Sequence, residues 1–169
     1  WLWENRVSIL IYPSKGEFAG ATGAPAWAIG KAEYSRKTSS TYAGGETFVD
    51  SVLPHEMTHL IFRDFIGFKG DIPLWLNEGV AQWEEPAKRA NLARYHARLS
   101  ADNACIPFDR LMAMDVKQVA ASGRASDFYS QAMSMVGFLI TRHGSAKFRT
   151  FCGEIRDGRS LDDSLRFAY

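Results

Sequence analysis

Cysteine is scarce in this chain of 169 residues: there are two, Cys105 and Cys152, with no C-x-x-C spacing. Nothing near either offers partner ligands for a metal, and buried thiols are the preferred reading over a disulfide. Long apolar runs are missing as well. Stretches such as Met135-Val136-Gly137-Phe138-Leu139-Ile140 fall far short of the roughly 20 residues a membrane helix needs. Charge of one sign is also lacking, since 20 Lys and Arg stand against 19 Asp and Glu, for a formal net charge of +1. Such a balance points neither to nucleic acid nor to an anionic membrane. There is no internal repeat, low-complexity linker, signal peptide or initiating Met. The chain opens on Trp1-Leu2-Trp3 and stops on Phe167-Ala168-Tyr169, so a segment of a longer protein is expected. Its compartment is not legible, with an extracytoplasmic parent slightly favoured.

What is present suits one soluble domain over residues 1–169, with 46% apolar and 23% charged residues and length enough for a real core. Val7 to Tyr12 reads as a strand buried on at least one face. Ser14-Lys15-Gly16-Glu17 has the S-x-x-E form of a capping box and opens a short helix that Gly20 to Gly23 terminates. Ala26 to Tyr34 and Lys37 to Ala43 read as two strands joined at Ser35-Arg36. The second, rich in Thr and Ser, looks like an edge strand. Gly44-Gly45 is a loop, and from there the pattern turns helical.

Asp50 or Ser51 is expected to cap a helix to about Phe65, with Pro54 in its first turn. Asp71 is expected to cap a second helix that Pro86 closes. A third runs from Ala87 to Leu99, its basic side (Lys88, Arg89, Arg94, Arg98) read as a solvated face. Ala101 to Asp115 is irregular. Further helices start at Ser126, Ser145 and Ser160. The layout is α+β: residues 1–49 a small, mostly antiparallel sheet, residues 50–169 helical.

The chemistry concentrates in Leu53-Pro54-His55-Glu56-Met57-Thr58-His59-Leu60, an H-E-x-x-H motif on the first of these long helices. Four residues turn roughly 400° on an α-helix, so His55 and His59 share a face and can share one zinc ion. Glu56 projects beside the metal, placed to take a proton from a water. A third ligand is required. Glu78, in Leu76-Asn77-Glu78-Gly79, lies on the next helix after a short loop, and an antiparallel pair would bring it back beside the histidines. His2Glu leaves a fourth position for water, the arrangement of a catalytic zinc.

H-E-x-x-H followed by Glu within Asn-Glu-Gly resembles the gluzincin metallopeptidases, the group of thermolysin and the zinc aminopeptidases. The text Leu-Pro-His-Glu-Met-Thr-His-Leu and Trp-Leu-Asn-Glu-Gly-Val-Ala is similar to small bacterial peptidase MA-like domains. The resemblance implies a zincin-like fold, one catalytic Zn2+ on His55, His59 and Glu78, and Glu56 as general base. It implies a peptide or protein substrate laid along the edge strand by strand addition. It also implies Tyr129, in Phe128-Tyr129-Ser130-Gln131-Ala132, as the donor to the oxyanion. Two departures stand out. Gln82 occupies the place where thermolysin-like enzymes carry an acid behind a zinc-bound His. The Gly-x-Met-Glu-Asn motif of aminopeptidases is absent, and neither Glu33 nor Glu46 has that context, which favours an endopeptidase or a specificity set by other domains of a longer protein.

The expected reaction is peptide hydrolysis by a metal-activated water, with Glu56 as general base. The alternatives are a non-catalytic peptide-binding module on the same fold and a zinc hydrolase of non-peptide amides. The remaining histidines read as structural: His143 ends a helix before Gly144, and His96 lies among arginines on a solvated face. On this ligand set, His59→Ala should abolish stoichiometric zinc at neutral pH, as metal analysis of the purified chain would show; retained zinc would refute the set.

Overall fold

The computed structural model describes residues 6–44, 48–69 and 71–169. The Trp1-Leu2-Trp3 start, Gly45, Glu46 and Gly70 lie outside the described residues. The architecture is α+β, with a three-stranded sheet first and helices after it. β1 (Ser8–Tyr12) leads to α1 (Lys15–Thr22), then to β2 (Gly30–Glu33) and β3 (Thr38–Tyr42). Ser14 caps α1 as expected, its Oγ accepting from the Glu17 N–H at 3.2 Å. Gly23 ends that helix at φ 63°, a left-handed conformation that costs glycine little.

The sheet is mixed rather than mostly antiparallel. Its order is β1-β3-β2, with β1 parallel and β2 antiparallel to β3. β3 is therefore the central strand, not an edge, and Thr38, Ser39, Ser40 and Thr41 are all buried. Small hydroxyl side chains fit where helices close over both faces, and some satisfy themselves locally. Thr41 Oγ1 donates to the Ile29 carbonyl at 2.7 Å, which removes much of the penalty of burying it. β1 reverses its own expectation. Ile9, Leu10 and Ile11 are exposed, because α1 is short and its Phe18 covers only the Tyr12 and Tyr42 end, at ring distances of 6.2 and 5.7 Å. The two unpaired sheet edges are thus β1 and β2 among the described residues.

A π-helical turn, Phe48–Val52, runs straight into α2 (Leu53–Ile66). Val52 at the N-cap is already helical, so neither Asp50 nor Ser51 caps α2. Pro54 sits in the first turn, where no intrahelical N–H is needed. α3 (Leu74–Trp83) starts behind Pro73, without a cap from Asp71. Pro86 opens α4 (Pro86–Ala90) rather than closing α3, and the expected third helix breaks at Asn91 before α5 (Leu92–Ala101). The stretch read as irregular holds α6 (Phe108–Ala113), and Asp115 then starts α7 (Val116–Ala121) with a full capping box to Gln118. α8 (Ala125–His143), α9 (Ser145–Arg156) and α10 (Leu161–Ala168) complete the chain. Cys152 is buried and Cys105 exposed, both unbridged, so the buried-thiol expectation holds for one of the two.

The main core gathers Phe62, Ile66, Trp75, Leu76, Phe128, Val136 and Phe151 from α2, α3, α8 and α9. Within it α3 and α8 approach closely because position 79 is glycine. A Cβ there would lie 2.6 Å from the Ala132 carbonyl oxygen and 2.7 Å from Val136 Cγ2. Gly79→Ala should therefore push the two helices apart and destabilise the fold by about 1–3 kcal/mol, as overpacking does. A chemical denaturation midpoint would register the loss, and an unchanged midpoint would contradict the packing.

Candidate metal site

The apolar side of α2, with Leu60, Phe62 and Ile66 buried, sets its rotation and turns His55 and His59 toward α3. Their rings stand nearly perpendicular, 84° apart in plane with centroids 4.7 Å apart. The Nε2 atoms are 3.1 Å apart. From α3, Glu78 brings Oε2 to 3.5 Å from His55 Nε2 and 3.8 Å from His59 Nε2. Donors held tetrahedrally at about 2.0–2.2 Å from one zinc would be separated by roughly 3.3–3.6 Å. Distances and donor chemistry therefore fit a divalent ion. Among the described residues these three form the group that could hold one.

Electrostatics favours a cation in the same place. Burial opposes a charged His55, but the Glu78 and Glu85 carboxylates outweigh it and lift its pKa to about 9. Burial lowers His59 and keeps it neutral. Glu78 stays below the usual carboxylate range because the two imidazoles outweigh its own burial. Glu56 is pushed up to about 7, first by burial and then by the neighbouring Glu78 and Glu85 charges, against His55 and the Ala32 N–H that favour its carboxylate. His59 and Glu78 thus favour the deprotonated forms, which are the forms that bind a metal ion.

Support behind His55 comes from a residue the sequence reading passed over. Gln82 is buried at the cleft, but the carboxylate that the departure at Gln82 put in doubt is provided by Glu85. Its Oε1 lies 2.8 Å from His55 Nδ1, and the residue is only 1% exposed. Lys88 donates to Glu85 at 2.7 Å and the Ser51 hydroxyl bonds its other oxygen. Lys88, read as part of a solvated face, therefore has a partner at the site. Glu85 follows Glu78 by seven positions (85 − 78), two helical turns, yet it lies past the end of α3, and that bend hides it from pattern reading. His59 has no equivalent: its Nδ1 is buried, and Asn77 lies beside it without a well-formed hydrogen bond.

β2 lies directly over Glu56. A Cβ at Gly30 would meet Glu56 Oε1 at 2.6 Å and Cγ at 2.7 Å, so only glycine lets the strand come this close. Two phenols line the same cleft, which has a volume of about 480 Å³. Tyr129 on α8 is pushed up to about 12 by burial and by the Glu78 and Glu56 charges, which keeps it a hydrogen-bond donor. Tyr34, in the turn after β2, is raised first by burial and escaped the sequence reading. Away from the cleft, His143 does end α8, packed against Phe138 and Tyr169. His96 is not merely solvated, since it bonds the Ser134 hydroxyl.

The profile of the peptidase MA superfamily matches residues 3–169, and the chain belongs to that superfamily. No curated protein and no solved structure shows significant similarity to it. The Glu85 contact generates a test. Glu85→Gln keeps the size but removes the charge behind His55, and should weaken metal affinity about 10- to 100-fold. Competition against a chelating dye would measure it; unchanged affinity would mean that Glu85 does not act through His55.

Proposed function

We propose that the chain is a zinc-dependent metallopeptidase domain spanning residues 1–169, with His55, His59 and Glu78 as zinc ligands. The observation carrying this reading is the convergence of three donor atoms 3.1–3.8 Å apart, with the Glu56 carboxylate beside them. Zinc held there would lower the pKa of a water to about 7 and polarise the scissile carbonyl.

The chain's own groups handle the protons. Glu56 is the general base: it takes the proton of the attacking water and delivers it to the leaving amine nitrogen. Its cover by β2 suits that exchange, since the strand shields the carboxylate and the Ala32 N–H orients it. Tyr129 donates its hydroxyl hydrogen to the oxyanion developing on the carbonyl. The substrate strand lies along β2, the unpaired edge on the site side, rather than along β3.

Glu56→Gln should retain zinc and lose hydrolysis of unstructured protein substrates by at least about 10²-fold. Tyr129→Phe should lower kcat by about 10²-fold with little change in KM. Both would be read from cleavage assays with and without chelator, alongside metal analysis. Full activity in Glu56→Gln with zinc bound would remove the base assignment. A wild-type chain that binds zinc and peptide but cleaves nothing would be a binding module instead.

A further inference from the structure

We infer that the cleft takes an internal stretch of peptide, with a large apolar side chain seated against Trp27, Ile29 and Val116. The inference deepens the peptidase reading and rests on it. Single exposed apolar residues are ordinary on protein surfaces, but these three border the one cavity that holds the His and Glu cluster. Trp27 is 59%, Ile29 47% and Val116 56% exposed. They come from two separate elements, the segment between α1 and β2 and the first turn of α7, and the exposed Pro25 extends the apolar rim. Covering them removes apolar surface from water, which a polar substrate group cannot match.

Strand geometry connects this rim to the bound peptide. Ile29 directly precedes β2, and side chains alternate across a strand. Ile29 itself stands in the bend just before the strand and lines the same cleft as Gly30 and Glu56. A peptide added along β2 places one of its own side chains next to Ile29, as cross-strand neighbours are placed. Trp27 then offers a broad flat surface to the same side chain.

The charged groups around the cavity give the reason for an internal stretch. Glu56, Glu78 and Glu85 all belong to the metal cluster. Lys88 is held by Glu85 at 2.7 Å, and Lys31 donates to the Thr22 carbonyl. Among the described lining residues no carboxylate stands apart to receive a chain-end amine, and both ammonium groups already have partners. Recognition therefore falls to backbone pairing and apolar contact, which a chain interior supplies.

The test uses binding, so that it does not depend on cleavage. Two end-blocked peptides of equal length, identical except for Phe and Leu in one replaced by Asp and Lys in the other, are titrated into the zinc-loaded Glu56→Gln chain. The apolar peptide should bind about tenfold or more tightly than the charged one. Adding Trp27→Ala, or Val116→Ala, should shrink that preference while leaving the charged peptide's affinity and the melting temperature unchanged. Equal affinity for the two peptides, a preference that survives in the Trp27→Ala/Val116→Ala double variant, or binding that requires free ends would overturn the inference. Cleavage of the same peptides by the wild-type chain is scored separately: preferential binding without cleavage refutes the peptidase reading and leaves the apolar seat standing.

Discussion

Burying two imidazoles and three carboxylates in one cluster is the demand to which the rest of the structure responds. Isolated charges in such a setting carry a penalty of several kcal/mol each unless partners or protons compensate. Glu85 is compensated three ways, by His55, Lys88 and Ser51. Glu78 leans on both histidines. Glu56 is pushed up to about 7 by burial and by its carboxylate neighbours, with His55 and the Ala32 N–H acting against them. Between His55, His59 and Glu78 the three donor atoms stand close enough to share one metal ion.

Two close approaches hold this cluster in place, and each depends on a missing side chain. Gly79 lets α3 lie against α8, which sets Glu78 on one helix and Tyr129 on the other around a shared cleft. Gly30 lets β2 descend onto Glu56. The first contact is made of helix packing, with Trp75, Leu76, Phe128 and Val136 filling the space beside it. The second sets strand backbone against the Glu56 side chain, and β2 keeps its outer edge unpaired among the described residues.

The sheet inverts the usual distribution of polarity. Its central strand is Thr-Ser-Ser-Thr and buried, while Ser8–Tyr12, the more apolar strand, is exposed at the edge. Reading polarity as position misplaces both. β3 is buried because α1 and α2 pack on it and its neighbours hydrogen-bond it on both edges. β1 is exposed because its covering helix is only eight residues long.

Local pattern alone determined the H-E-x-x-H face, the Asn-Glu-Gly ligand candidate, the Ser14 and Ser160 caps and the order of sheet before helices. These depend on helical periodicity and on bonds spanning three or four residues, which any sequence displays. Strand order, the break at Asn91, the role of Glu85 and the place of Tyr34 were decided by tertiary structure. Each depends on which elements meet. Glu85 shows the reason most directly: it reaches His55, thirty positions earlier (85 − 55), only because the chain bends after α3 and Ser51 and Lys88 hold its carboxylate there.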